Sequence, residues 1–168
     1  MQSSASTVSS SRVLVADAEY GPGLQSVVER VFQTFPRNWQ GKTVLVKPNS
    51  LAPHPPERAV TTHPDLVRAI VRALRERGAE VVVGDNPGVG GYGLSDRAAT
   101  CSGIVQAAEG CYVPIGQYPV SRPVQSRYMQ QVAVSRQVVE ADLVVNVPKL
   151  KTHVLTVLTA GIKNTFGY

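Results

Sequence analysis

Six consecutive residues, Pro148-Lys149-Leu150-Lys151-Thr152-His153, bring two ammonium groups, a hydroxyl and an imidazole into one short stretch. Groups of this kind neutralise phosphate or carboxylate charge and move protons, and a buried lysine can also serve as a nucleophile or base. The stretch follows at once on the apolar run Leu143-Val144-Val145-Asn146-Val147, which reads as a buried strand bounded by proline. It therefore occupies the strand's C-terminal tip, the edge at which open α/β sheets bind ligands. The plain alternative is a solvated basic turn, because charge runs are mostly surface features.

The same pattern recurs twice. Thr43-Val44-Leu45-Val46-Lys47-Pro48-Asn49-Ser50 is an apolar run ending in Lys, Pro and Asn, and Glu80-Val81-Val82-Val83-Gly84-Asp85-Asn86-Pro87-Gly88 ends in Gly, Asp and Asn. In a parallel sheet all three tips share one edge, where Lys47, Asp85, Lys149, Lys151 and His153 would converge. Gly84, Gly88, Pro48 and Pro87 would shape loops whose N–H groups face a ligand.

The elements that must position these groups alternate along the chain. Residues 12–17 read as a first strand, and Leu24 to Phe35 as a helix with Leu24, Val27, Val28, Val31 and Phe32 at helical spacing. The strand ending at Lys47 is followed by a proline-rich loop over residues 50–57. Thr61-Thr62-His63-Pro64-Asp65 then supplies a threonine cap, a first-turn proline and an early acid to a helix whose apolar face is Leu66, Val67, Ile70, Val71 and Leu74. Strand, helix and the 80–84 strand form a βαβ unit, which is right-handed by strong preference. That places the Lys47 and Asp85 loops side by side, with the helix N-terminus as an anion site at the same edge. Capping explains one of Thr61 and Thr62; His63 is either a ligand contact or a first-turn residue.

Further on, a helix is expected over about residues 95–109, strands over 111–115 and 128–134 with a proline-rich connection between them, and a helical link over 136–141. Residues 154–161 are expected to begin a helix. The fold class that follows is α/β, a mainly parallel sheet with helices on both faces in a Rossmann-like three-layer arrangement. A flexible Ser/Thr-rich tail, residues 1–11, precedes a single domain over 12–168.

Composition narrows the function. The chain has 168 residues, 43% hydrophobic and 17% charged, which suits one globular domain. Its net charge of +5 comes partly from Arg68, Arg72, Arg75 and Arg77, most simply a solvated helix face. With 6% aromatic residues and no RNA- or DNA-binding signature, nucleic acid is not expected as a partner. No apolar run reaches the length of a membrane span, so no membrane partner is expected either, and the tail lacks the pattern of a signal peptide. A cytoplasmic location follows.

The glycine-rich stretch 86–93 is no Walker A loop, because no Gly-Lys-Ser/Thr follows, and it lacks the acidic residue that completes a dinucleotide fingerprint. Cys101 and Cys111 are fewer than the roughly four thiolates of an iron–sulfur cluster, and are expected to pack as small apolar residues. His153 and Asp85 are too few ligands to argue for a metal.

Taken in order, Val44-Leu45-Val46-Lys47-Pro48-Asn49, Thr61-Thr62-His63-Pro64, Gly84-Asp85-Asn86-Pro87-Gly88, the segment from Ala141 to His153, and Gly161-Ile162-Lys163-Asn164-Thr165-Phe166-Gly167 resemble the domain-of-unknown-function 362 family. The resemblance runs from about residue 12 to the end. It implies a largely uncharacterised protein associated with iron–sulfur chemistry, because a ferredoxin-type module with Cys-x-x-Cys-x-x-Cys spacing follows the domain in many members. The family's domain normally continues past the Lys-Asn-x-Phe-Gly motif, whereas this sequence stops at Tyr168, so the domain is expected to be incomplete at its C-terminus. A cluster would come only through a missing C-terminal module or a partner.

The resulting expectation is a site for an anionic small molecule or cofactor at the C-terminal edge of the sheet, linked to iron–sulfur or redox chemistry supplied by another module or an iron–sulfur protein partner. Lys149, Lys151, His153 and Asp85 are the candidates for chemistry. Lys47, Asn49, Thr61, Thr62, His63, Gly84, Asn86, Gly88, Lys163 and Asn164 are the candidates for ligand contact. A non-catalytic binding or maturation module and an inactive truncated relic remain as alternatives.

Overall fold

The computed structural model describes residues 11–87 and 95–168. In chain order the elements are α1 (Leu24–Thr34), β1 (Thr43–Pro48), α2 (Pro64–Glu76), β2 (Glu80–Val83), α3 (Ser95–Cys101), α4 (Ile104–Ala107), β3 (Pro119–Pro123), β4 (Gln131–Ser135), α5 (Arg136–Glu140), β5 (Leu143–Val147), β6 (Lys151–His153), β7 (Val157–Thr159) and α6 (Gly161–Asn164). The fold is mixed α/β. Its centre is a three-stranded parallel sheet in the order β2-β1-β5, with Val46 opposite Val83 on one side and Val145 on the other. A parallel bridge from Val83 to Tyr112 continues the sheet beyond β2.

The core explains why these runs are strands. Alternate residues of a strand face opposite ways. Val44 and Val46 enter the main cluster with Val67, Ile70, Val71 and Leu74 of α2 and Leu24, Val28 and Phe32 of α1, while Leu45 is fully buried outside that cluster. Each such aliphatic side chain contributes about 1.5–3 kcal/mol on burial, so β1 is held from both sides. The cap of α2 differs from the expectation of a threonine. His63 is the N-cap, and its Nδ1 accepts the Asp65 N–H at 3.2 Å. The threonines before it are drawn into tertiary bonds instead.

Several expectations are corrected. Residues 12–17 form no strand: residues 11–19 carry no regular structure, and Val13 and Val15 stand 83% and 87% exposed. Their alternation is a local property, and no strand among the described residues pairs with them. The helix expected over 95–109 is broken in two, with Gly103 in the left-handed region at φ 76° between α3 and α4. Of the strand expected at 111–115 only the Tyr112 bridge and its flanking bonds to Val83 form. The proline-rich connection instead contains β3, which pairs antiparallel with β4. Residues 154–160 do not begin a helix; they hold the turn and second strand of an antiparallel hairpin, β6–β7, and α6 starts only at Gly161. Cys101 is exposed rather than packed. Cys111 is half-buried, its thiol donating to the Ala108 carbonyl, and burial pushes its pKa up.

Candidate functional site

The tips of β1 and β2 are tied together by charge. The Lys47 ammonium donates to the Asp85 carboxylate, and the two side chains are 1% and 3% exposed. The Ser50 N–H donates to the other Asp85 oxygen. Burial pushes the Asp85 carboxyl above its ordinary range, opposed by the Lys47 ammonium and by the Ser50 and Asn86 N–H groups. The C-terminal residues cover this pair. A Cβ on Gly167 would stand 2.9 Å from the Asn86 carbonyl and 3.5 Å from Lys47 Nζ, and the Tyr168 ring lies 5.6 Å from that ammonium. Burial, reinforced by the charge of Asp85, pushes the Tyr168 phenol up.

The tips of β1 and β5 are tied by hydroxyl and amide. Thr62 Oγ1 donates to the Val147 carbonyl at 2.6 Å and accepts the Asn49 N–H at 2.8 Å, so one side chain bridges both strand ends. Asn164 is buried and donates to the carbonyls of Lys47 and Pro48 and to Asn146 Oδ1, the last at 2.7 Å. Asn146 in turn donates to the Gly161 carbonyl. Thr61 Oγ1 and Asn49 Oδ1 are buried with no hydrogen-bond partner among the described residues.

Beyond β5 the character changes. The Lys151 ammonium donates to the Val60 carbonyl, while Lys149 lies 3.4 Å from the Tyr20 hydroxyl and 5.8 Å from its ring centre. Tyr20 stacks flat on His63 at 3.7 Å. Burial holds the Lys151 pKa down, as do the charges of Lys163 and Lys149, while Asp85 acts the other way. Lys163 and Lys149 thus both act on Lys151, and among the described residues none of the three is ion-paired.

The structure accordingly brings together Lys47, Asp85, Asn49, Thr62 and Asn164 in one buried network, and Lys149, Lys151 and Lys163 in one electropositive edge beside it. His63 joins the latter through Tyr20. Gly84 serves packing: a Cβ there would fall 2.3 Å from the Val113 carbonyl. Asn86 lies against Gly116, whose added Cβ would stand 2.9 Å from its amide carbon. His153 stands in the hairpin, with Nδ1 accepting the N–H groups of Leu155 and Thr156 at 3.1 and 3.2 Å. Gly88 lies outside the described residues. Sequence reasoning missed Tyr20, Ser50, Asn146, Gly167 and Tyr168. The polar Asn146 inside an apolar run was the one available signal; the others act through tertiary contacts or backbone.

The match to known proteins follows the same edge. Residues 44–168 match the family described as domain of unknown function (DUF362). The chain belongs to that family. A curated relative, the thylakoid-associated protein sll1697 of Synechocystis sp., is 32% identical over 128 residues, covering 76% of this chain and 39% of the relative. This chain thus spans about two-fifths of that relative's length. No solved structure matches. Among the described residues, no helix of this family member is long and apolar enough to cross a membrane.

Proposed function

We propose that this DUF362 domain binds an anionic small molecule or cofactor at the C-terminal edge of its sheet, in a Rossmann-like three-layer arrangement, and serves iron–sulfur or redox chemistry carried by another module or partner. The observation that carries the reading is the cluster of Lys149, Lys151 and Lys163, none of them ion-paired among the described residues, in which Lys163 and Lys149 lower the pKa of Lys151 against the opposing charge of Asp85. Like charges held together in a half-buried place cost free energy, and an anion bound between them offsets that cost. The strand order supports the location. From β1 the chain adds β2 and then the Tyr112 bridge on one side, and β5 on the other, so the tips of β1 and β5 flank the point where a doubly wound sheet reverses direction. The iron–sulfur part rests on family resemblance alone, since Cys101 and Cys111 are too few to hold a cluster.

One observation favours a binding role over catalysis by this chain. Of the candidates for chemistry, Asp85 is engaged by Lys47 and the Ser50 N–H, and His153 Nδ1 by its own turn. Thermal unfolding in inorganic phosphate and in citrate tests the reading. At a hundredfold excess over Kd a bound anion stabilises by about 2.7 kcal/mol, a shift of several degrees in Tm. That shift is expected for the native chain and expected to vanish in Lys149→Ala/Lys151→Ala. Equal shifts in both proteins, or none in the native chain with either anion, would sink the proposal.

A further inference from the structure

We infer, on the strength of the anion-site reading, that the ligand is an anion carrying an alcohol hydroxyl, with Thr61 meeting the anionic group and Asn49 the hydroxyl. Hydroxy acids and polyol phosphates share this chemistry. Two buried polar atoms, Thr61 Oγ1 and Asn49 Oδ1, have no hydrogen-bond partner among the described residues. Polar atoms shut off from water and left unpaired cost stability, so each calls for a partner from outside the chain.

Both atoms belong to the place where the tip of β1 meets the start of α2. Asn49 and Thr62 are bonded twice, the Asn49 N–H to Thr62 Oγ1 at 2.8 Å and the Thr62 N–H to the Asn49 carbonyl at 3.0 Å. Thr61 is 2% exposed, and the residue before it, Val60, holds the Lys151 ammonium on its carbonyl. An anion that draws this ammonium off the Val60 carbonyl therefore arrives beside Thr61. The backbone of α2 cannot replace these side chains. Pro64 has no N–H, and the N–H groups of Asp65, Leu66 and Val67 are all taken by His63. The helix contributes its positive pole, which favours an anion.

The two atoms call for different groups. A hydroxyl both donates and accepts, whereas an amide oxygen only accepts. Thr61 can give its proton to a carboxylate or phosphate oxygen. Asn49 Oδ1 needs a donor, because its own amide nitrogen faces the Ser50 carbonyl at 3.5 Å and the oxygen is the end left over. A bare anion thus satisfies Thr61 and opposes Asn49. An ammonium on the ligand would donate, but Lys163 and Lys149 already press Lys151 with like charge at this edge. An uncharged donor meets both conditions, and an alcohol hydroxyl beside the anionic group is the smallest one.

Calorimetric titration of the full chain with two matched pairs tests this: citrate against tricarballylate, which lacks only the hydroxyl, and glycerol 3-phosphate against propyl phosphate. The hydroxylated member of a pair is expected to bind about tenfold more tightly, the effect of one hydrogen bond to an otherwise unpaired acceptor. Asn49→Leu is expected to bring the pair to equal affinity. Thr61→Val is expected to weaken both members about fivefold and leave their ratio intact. Neither orphan atom has a bond to lose, so both variants are expected to fold, and the comparison within the native chain stands without them. A preference confined to one pair supports the inference and identifies the anionic group as carboxylate or phosphate. Equal affinity within both pairs, the result expected if a buried water serves the two atoms, or a preference that survives Asn49→Leu, would overturn the inference and leave the anion site standing. No binding of any of the four compounds would remove the anion-site reading and this inference with it.

Discussion

Lys47 lies one residue before the end of β1 and Lys151 opens β6 just past β5, yet the fold uses them in opposite ways. Lys47 is buried and answered by a carboxylate, two strands are tied through it, and the chain's last residues cover it. Lys151 is half-buried, answered only by a carbonyl, and pressed by two further lysines. The difference teaches that a lysine at a strand tip is not by itself a ligand contact. What separates the structural cation from the candidate binding one here is whether the fold supplies the counter-charge. Asp85 does so for Lys47 at hydrogen-bond range, and on Lys151 its charge only opposes burial and Lys163, which together hold the pKa down.

Breaking the buried pair has the largest expected effect. Asp85→Asn strands a buried ammonium and is expected to cost about 3–5 kcal/mol in urea unfolding. Lys47→Met is expected to cost less, because burial already favours the neutral form of Asp85, which can take a proton in place of its partner. Lys47→Met/Asp85→Leu is expected to recover much of the loss. Equal stability of Asp85→Asn and the native chain would contradict the structural role assigned to this half of the edge.

The next effect belongs to Thr62. Thr62→Val removes the donor to the Val147 carbonyl and leaves the Asn49 N–H without its acceptor, at an expected cost of about 1–3 kcal/mol. Thr62→Ser keeps the hydroxyl and gives up about one methyl group, about 0.8 kcal/mol. Urea midpoints for the two variants separate the bridge from simple packing; identical losses would mean that the hydroxyl does not join the strands.

How much of this was legible follows the same division. β1, α2, β2 and β5 announce themselves because burial makes their runs continuously aliphatic or helically periodic, and strand tips follow from strand ends. The pairing of Lys47 with Asp85 does not, since Lys47-Pro48 and Pro148-Lys149 look alike in sequence and differ only in what a distant segment brings. Residues 12–17 show strand-like alternation without a partner. β3 was hidden by its prolines, which a two-stranded ribbon tolerates at positions that a central strand does not. Val154–Thr159 has no polar face to betray a helix or a hairpin; two β-branched valines and a turn closed by the His153 ring decide it. Tyr20 and Tyr168 reach the site from opposite ends of the chain, which no local pattern records.

The smallest effect on stability falls on the electropositive edge, and its pH dependence distinguishes the two lysines. The folded-state pKa of Lys151 is depressed, so between that pKa and the ordinary lysine range the unfolded chain binds more protons than the folded one. Stability is therefore expected to rise slightly with pH across that window, whereas affinity for inorganic phosphate falls because the ammonium is being lost. Lys151→Met is expected to remove both trends, at a cost of about 1 kcal/mol at neutral pH for the lost bond to the Val60 carbonyl. Parallel unfolding and calorimetric titrations through this window check the point. A phosphate affinity that persists to the ordinary lysine range would show that Lys151 is not the cation that the anion meets, and would move the binding role to Lys149 and Lys163.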